Sequence, residues 1–165
     1  MKKTFFVLFI GFFTFFSLAG TAQAVHYTKF TNSVDSREIR WEGGTAYRDQ
    51  FNAAVVTWNA LRRINIAPDN LLTIADLHVL DVNRHDVDWA GSYFWSPVGA
   101  DSIAFNRAYL LNANNNRRQK VITHEIGHSL GLDHSIPENV MFPGQFDQIR
   151  LGAQDISDYR FLWGN

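Results

Sequence analysis

The feature that most constrains this chain is the run VITHEIGHSLGLDH at residues 121–134, which contains the pattern HExxHxxGxxH. His124 and His128 are four residues apart, so a helix places both imidazoles on one face, one turn apart. Two imidazoles at this spacing can bind one tetrahedral metal ion. Gly131 can take the left-handed conformation that ends a helix, and the redirected chain can then present His134 as a third ligand. A fourth position left open for water is the mark of a catalytic zinc site rather than a structural one.

Glu125 supplies the other half of the chemistry that this pattern predicts. As the neighbour of His124 it would lie beside the metal, where it can deprotonate a zinc-bound water whose pKa the metal lowers to about 7. A short HExxH run alone can arise by chance on a surface helix. Here three of the six histidines stand at metal-ligand spacing around one glutamate, which favours one catalytic zinc ion. Gly127 lies in the same helix at a cost of about 0.5–1 kcal/mol relative to alanine, so we expect another segment to pack closely against it.

The residues around this pattern resemble the metzincin metallopeptidases and, within them, the matrixins. The run GLDHS at residues 131–135 has a serine after the third histidine, as in matrixins. Met141 lies in NVMFPG, which is similar to the Met-turn of that family. The resemblance implies that Met141 forms an apolar floor beneath the histidines and that Asp155 supports this floor. Asp155 could also act as an acid that interacts with the dipole of a C-terminal helix.

The resemblance also implies a mode of substrate binding. An extended peptide would lie antiparallel to an edge strand above the active-site helix, and here that strand would lie around residues 90–94. The pocket beside the metal would be walled by Val121, His124 and residues 142–146, and an apolar side chain after the scissile bond would fit it. The predicted substrate-binding residues are Ala90, Gly91, Ser92, Tyr93, Val121, Phe142 and Pro143.

Residues 1–24 have the features of a secretory signal peptide. Lys2 and Lys3 precede a phenylalanine-rich apolar run, and AQA at residues 22–24 is an A-x-A cleavage site. The alternative, a retained membrane anchor, is disfavoured because the apolar run is shorter than the roughly 20 residues that a span needs. We therefore expect a secreted protein in which residues 25–165 form one catalytic domain, without membrane contact after the signal is removed.

Charge and cysteine content argue against a nucleic-acid-binding protein and against a domain held by disulfides. The net charge is −1 and no basic cluster stands out, so no nucleic-acid partner is expected. The chain has no cysteine, so disulfides cannot hold the exported domain, and burial and bound metal must do so. We expect a monomer.

The pattern of apolar residues predicts an α/β (α+β) fold. Apolar residues recur at intervals of three and four from Tyr47 to Leu61, which predicts a long N-terminal helix with Trp58 in the core and Thr45 as its cap. One of the asparagines at residues 112–116 can cap the active-site helix. Ile122, Ile126 and Leu130 form the apolar stripe of that helix. Strands are predicted at residues 37–41, 64–67, 75–82, 90–96 and 102–106.

Together with the resemblance, these elements predict a metzincin-like architecture. It comprises a twisted, mostly parallel sheet of about five strands with an antiparallel edge strand, the long N-terminal helix, the active-site helix and a C-terminal helix over residues 151–164.

Structural calcium is a further ligand to consider. Aspartates supply hard oxygen ligands of the kind that calcium takes, and matrixins often carry structural calcium in the loop before the edge strand. A calcium site and a plain solvated acidic loop both stay open. A second zinc ion is not expected, because no histidine lies between His85 and His124. The candidate calcium ligands are Asp81, Asp86, Asp88 and Asp101.

These observations indicate a secreted zinc-dependent endopeptidase that hydrolyses extended polypeptides through a water activated by Glu125. Two alternatives stay open. One is a zinc hydrolase of a non-peptide amide or ester, which would share the water chemistry and differ in cleft shape. The other is a catalytically silent binding protein with a metzincin fold, against which the intact Glu125 and the three histidines argue.

Overall fold

A five-stranded sheet forms the centre of the computed structural model, which describes residues 25–144 and 146–164. The predicted signal peptide at residues 1–24 lies outside the described residues. Within them, no helix is both long and apolar enough to cross a membrane. The strands are β1 (Glu38–Gly43), β2 (Asn65–Pro68), β3 (Leu77–Val82), β4 (Gly91–Phe94) and β5 (Asp101–Asn106), and the helices are α1 (Arg48–Asn59), α2 (Arg107–Leu110), α3 (Asn115–Ser129) and α4 (Ala153–Trp163).

The order of strands in the sheet is β2-β1-β3-β5-β4. The pairs β1–β2, β1–β3 and β3–β5 are parallel, whereas β4 pairs with β5 in antiparallel register, with Gly91 opposite Phe105. β4 therefore lies at an edge of the sheet with one side free of strand partners among the described residues. The mostly parallel sheet with one antiparallel edge strand, and the α/β class with its N-terminal, active-site and C-terminal helices, are confirmed.

Helix α1 packs against α3 through the large side chain that its periodicity predicts to be buried. Trp58 is fully buried, and its Nε1–H donates to the carbonyl of Thr123 in α3 at 2.9 Å. Helix α1 starts at Arg48, and Tyr47 occupies the N-cap position where Thr45 was predicted. Thr45 instead accepts a hydrogen bond from the Tyr47 amide at 3.1 Å, because it lies two residues before the N-cap position.

Helix α3 lies next to the β4 edge of the sheet, and its residues 120–129 are buried. Its apolar stripe of Ile122, Ile126 and Leu130 is fully buried. Asn114 is the N-cap, and its side chain accepts from the Arg117 amide at 2.9 Å, which agrees with the predicted asparagine cap. A Cβ on Gly127 would lie 3.0 Å from the Trp58 ring and closer still to the Met141 sulfur. The close approach expected at Gly127 is therefore present.

Two short features were not anticipated. Helix α2 is a single turn whose N-cap, Asn106, accepts from the Ala108 amide at 3.2 Å. The segment after residue 25 also returns to the end of α3, where Thr28 and Leu132 form an antiparallel bridge. His26 pairs with Asp158 of α4 at 3.0 Å, so the first described residues are held against the C-terminal helix.

Candidate metal centre and cleft

Three histidine side chains converge at the end of helix α3. The ring centroids of His124, His128 and His134 lie between 4.6 and 5.2 Å apart. One donor atom from each residue lies within 4.8 Å of the others, a separation that allows all three to bind a single ion. In the described part of the chain, this is the one group of three or more histidine and acidic side chains with such geometry. The structure thus brings together the three predicted ligands.

The turn after α3 is what carries His134 back toward the helix. Gly131 has φ +85°, and its amide donates to the His128 carbonyl at 3.0 Å. The Leu132 amide donates to the Gly127 carbonyl, also at 3.0 Å. These two bonds are the Schellman pattern, which ends a helix through a left-handed residue and reverses the chain.

Two backbone carbonyls orient the helix-borne histidines. The Nδ1 of His124 lies 2.8 Å from the Val140 carbonyl, and the Nδ1 of His128 lies 2.8 Å from the Leu132 carbonyl. A carbonyl oxygen only accepts, so each Nδ1 must carry the proton, and each Nε2 keeps its lone pair for a ligand. Burial lowers the pKa of His128 to about 3 and also lowers that of His124, so both rings are neutral, as metal binding requires. A neutral three-imidazole set suits zinc.

Glu125 is buried beside these histidines, with only 5% of its surface exposed. Burial raises the pKa of its carboxyl to about 8, against the opposing charges of Lys29 and Lys120 and a hydrogen bond from the Tyr93 amide. A Cβ on Gly91 would lie 2.9 Å from the Glu125 carboxylate oxygen Oε1. Only glycine therefore lets the edge strand approach the carboxylate this closely.

Met141 packs against helix α3, and Asp155 binds the backbone around Met141. Met141 is fully buried with its sulfur against Gly127. The carboxylate of Asp155 accepts from the amides of Val140 at 2.7 Å and Met141 at 3.1 Å, and from the Gly152 amide at 2.8 Å. Burial raises the pKa of Asp155, while these three amide donors lower it. Asp155 also lies in the first turn of α4, so its position fits both of the roles considered for it.

A cleft of about 750 Å³ opens over this centre, between β4 and the segment after Met141. It contains Ala90, Gly91, Ser92, Tyr93, Val121 and Pro143 from the predicted substrate-binding set. Phe142 of that set offers its carbonyl oxygen to the Lys120 ammonium at 2.8 Å. The ring of Phe142 lies 5.4 Å from the ring of Phe146.

Two lysines that the sequence analysis did not single out also line the cleft, together with Asp88, which was considered there only as a calcium ligand. Lys120 is 1% exposed, and its ammonium donates to the carbonyls of Phe142 and Gly144, each at 2.8 Å. Burial lowers the pKa of Lys120 to about 8. Lys29 reaches the cleft from the N-terminal segment, and Asp88 precedes the edge strand. The backbone carbonyls of Val140 and Leu132 were also missed, because their contribution does not depend on residue type.

The four aspartates considered for calcium do not act together. Asp88 lines the cleft, and each of the other three binds different groups. Asp81 accepts from Thr45 and the Ala46 amide, Asp86 pairs with Arg84, and Asp101 accepts from Ser33 and the Ser96 amide. Among the residues that the structure describes, these carboxylates form no group of three within reach of one ion. The structure therefore adds no support for a calcium site.

Comparisons with known proteins relate part of this chain to one family and its fold to solved structures. The family model described as matrixin, of the M10 peptidases, matches residues 101–164, a segment that contains all three histidines, Glu125, Met141 and Asp155. A comparison with curated protein sequences gives no match. Of the solved structures, 91 chains match. One of them comes from a structure described as the GM1-bound form of the ECX AB5 holotoxin, with 17% identity and a TM-score of 0.54. That match covers 85% of this chain and 86% of the other, and at this identity it is evidence for the fold alone.

Proposed function

We propose that this protein is a secreted zinc-dependent endopeptidase that cleaves extended polypeptides. The observation that carries the proposal is the geometry of the centre. One ring nitrogen from each of three histidines lies within reach of one ion, and the Nδ1 atoms of His124 and His128 are bonded to backbone carbonyls. Glu125 is buried beside them under a cleft on the free edge of β4. The matrixin match over residues 101–164 supports a metallopeptidase.

His124, His128 and His134 would hold the zinc ion through their Nε2 atoms. When bound, the ion supplies Lewis-acid chemistry toward a water molecule and the carbonyl under attack. The hydrogen bonds from His124 and His128 to backbone carbonyls hold these rings in place before any ligand arrives. Such outer contacts affect both the orientation and the basicity of histidine ligands.

Glu125 would act as general base and then as general acid. Its carboxylate accepts a proton from the attacking water and delivers it to the nitrogen of the departing amine, so the peptide C–N bond breaks and a carboxylate and an amine form. A carboxyl group whose pKa is close to the working pH can perform both transfers. Glu125 is buried next to His124, and this burial raises the pKa of its carboxyl.

The free edge of β4 would bind the substrate backbone as an added strand. Antiparallel pairing is more stable per residue than parallel pairing, and it is the orientation that the resemblance implies. Gly91 lies against Val121 and Glu125, whereas Tyr93 lies toward His128, with 6.4 Å between the two ring centroids. A peptide antiparallel to β4 therefore has the residues before its scissile bond at the Tyr93 end and those after it at the Gly91 end.

Export and oligomeric state complete the proposal. The charged start, apolar run and AQA site of residues 1–24 support export through a signal peptide. The absence of cysteine is compatible with an exported domain held by burial and metal. We propose a monomer, since one chain supplies the three histidines and the glutamate.

The proposal can be tested by mapping new N-termini after the zinc-loaded protein is incubated with a denatured proteome. We expect chelator-sensitive cleavage, and we expect the Glu125→Gln variant to keep zinc while losing about 10²–10⁴-fold in rate. Equal cleavage by the wild type and the variant would show that another group is the base. Turnover of amides or esters without any peptide cleavage would instead favour the non-peptide hydrolase.

A further inference from the structure

Lys29 is a cleft residue that the proposed chemistry does not use. Its side chain lines the cleft together with Tyr93, His128 and His134, and its ammonium lies 5.3 Å from the centre of the Tyr93 ring.

The backbone that carries Lys29 is held in place by several hydrogen bonds. The Lys29 amide donates to the Gly131 carbonyl at 2.8 Å, and the Asp133 amide donates to the Tyr27 carbonyl at 3.0 Å. The hydroxyl of Thr31 donates to the Ser129 carbonyl at 2.8 Å. The base of the lysine side chain is therefore positioned before any substrate binds.

The ammonium groups of the two cleft lysines differ in their hydrogen bonds. Lys120 is buried and bonded to two carbonyls. Among the described residues, Lys29 forms neither an ion pair nor a side-chain hydrogen bond. Asp133 and Glu125 attract its charge from farther away, and partial burial lowers its pKa. A half-buried cation without a close anion favours an incoming carboxylate.

The cleft is also polarised along its length. Lys29 lies at the Tyr93 end, whereas the exposed carboxylate of Asp88 precedes β4 and lies toward the Gly91 end. For a peptide antiparallel to β4, the positive end meets residues before the scissile bond. Tyr93 is two residues from Gly91, or roughly 7 Å along a strand. This distance places Lys29 opposite one of the first three residues before the cleaved bond.

We propose that Lys29 is a specificity-determining residue that selects substrates with an aspartate or glutamate within the three residues before the scissile bond. The proposal rests on the peptidase function proposed above. The carboxylate would accept hydrogen bonds from the ammonium and complete an ion pair that the free protein lacks. An acid placed after the scissile bond would lie near the Asp88 carboxylate, which carries the same charge, so it would not promote cleavage.

The test compares matched peptides cleaved by the zinc-loaded protein. Each pair differs only by Glu against Gln, or Asp against Asn, at one of three positions before or after the bond. For the wild type we expect kcat/KM to be about tenfold higher for the acid peptide than for its amide partner when the acid lies at one or more positions before the bond. An acid after the bond should not raise kcat/KM. We expect the ratio of kcat/KM for the acid peptide to kcat/KM for its amide partner to stay at the wild-type value in Lys29→Arg. It should be close to one in Lys29→Gln and below one in Lys29→Glu. Arg48→Gln, which removes an exposed charge outside the cleft, should keep the wild-type ratio.

The outcomes separate the two proposals. Chelator-sensitive cleavage with equal rates for acid and amide peptides, or an acid preference that survives in Lys29→Gln, would overturn the role of Lys29 and leave the peptidase function standing. Absence of cleavage of every peptide would overturn both. Because the variants are compared through a ratio of two substrates, a general loss of activity in one variant does not mimic the expected result.

Discussion

At the scale of single residues, the backbone of Val140 links the C-terminal helix to His124, a proposed metal ligand. The Val140 amide donates to Asp155 at 2.7 Å, while the Val140 carbonyl accepts from His124 Nδ1 at 2.8 Å. Asp155 therefore acts on His124 without contacting it. Because Asp155 also accepts from the Met141 amide, the same carboxylate holds both Met141 and the residue whose carbonyl binds His124.

Replacing Asp155 with asparagine tests this link. The amide group would place N–H donors against backbone donors, leaving buried amides without partners at a cost of about 1–3 kcal/mol each. We expect the free energy of unfolding to fall by about 2–4 kcal/mol, and zinc affinity to fall by about 10–100-fold. Urea titration and competition with a chelating dye measure the two quantities.

Asp49→Asn is the matched control for this change. Asp49 is an exposed acid in the first turn of α1, so its replacement reports the helix-dipole effect alone, about 0.3–1 kcal/mol. If Asp155→Asn cost no more than this control and left zinc affinity unchanged, Asp155 would be only a helix N-terminal acid.

At the scale of elements, the decisive feature is the end of α3. The helix supplies two of the three proposed ligands at fixed spacing, and the left-handed turn at Gly131 brings His134 to them by reversing the chain. The turn is supported by close neighbours, since a Cβ on Gly131 would lie 3.2 Å from Thr31 and 3.3 Å from Leu162. The geometry of the triad thus depends on how the helix ends as much as on its periodicity.

Gly131→Ala should damage both the fold and the metal site. A left-handed conformation costs a residue with a Cβ roughly 1–2 kcal/mol, and a shift of the turn would displace His134. We expect the unfolding midpoint in urea to fall and zinc affinity to weaken. Gly44→Ala is the control, because a Cβ there meets nothing within 4 Å. Equal effects of the two substitutions would show that the Gly131 turn is not specifically required.

At the scale of the whole molecule, the chain has no cysteine, so no disulfide can join its parts. The triad joins α3 to the chain that follows it, and Asp155 joins that chain to α4. An ion bound there would therefore stabilise contacts between separate parts of the fold.

Zinc should raise the stability of the folded protein by mass action. Binding to the native state alone adds about 2.7 kcal/mol when free zinc is one hundred times the Kd. We expect the urea midpoint to rise with zinc in the wild type but much less in His134→Ala. The same midpoint with and without zinc in the wild type would argue against binding to the native state.

Much of this architecture could be predicted because its signals are periodic. Helix α1 and strand β3 follow from apolar residues at intervals of three to four and of two, and Trp58 is buried as that period requires. Helix α2 was missed because a single turn has no periodicity to detect. The histidine cluster could be predicted because its three histidines are close in sequence. The position of Lys29 could not be predicted, because it reaches the cleft only through the tertiary pairing of Thr28 with Leu132.

The most direct test of the proposed centre is X-ray diffraction from crystals grown with zinc, with data collected on both sides of the zinc absorption edge. We expect one anomalous peak at roughly 2.0–2.1 Å from Nε2 of His124, His128 and His134. Glu125 should lie beside the peak without binding it. The absence of a peak between these three rings at saturating zinc, or a peak bound by other residues, would contradict the assignment of the metal centre and the function proposed from it.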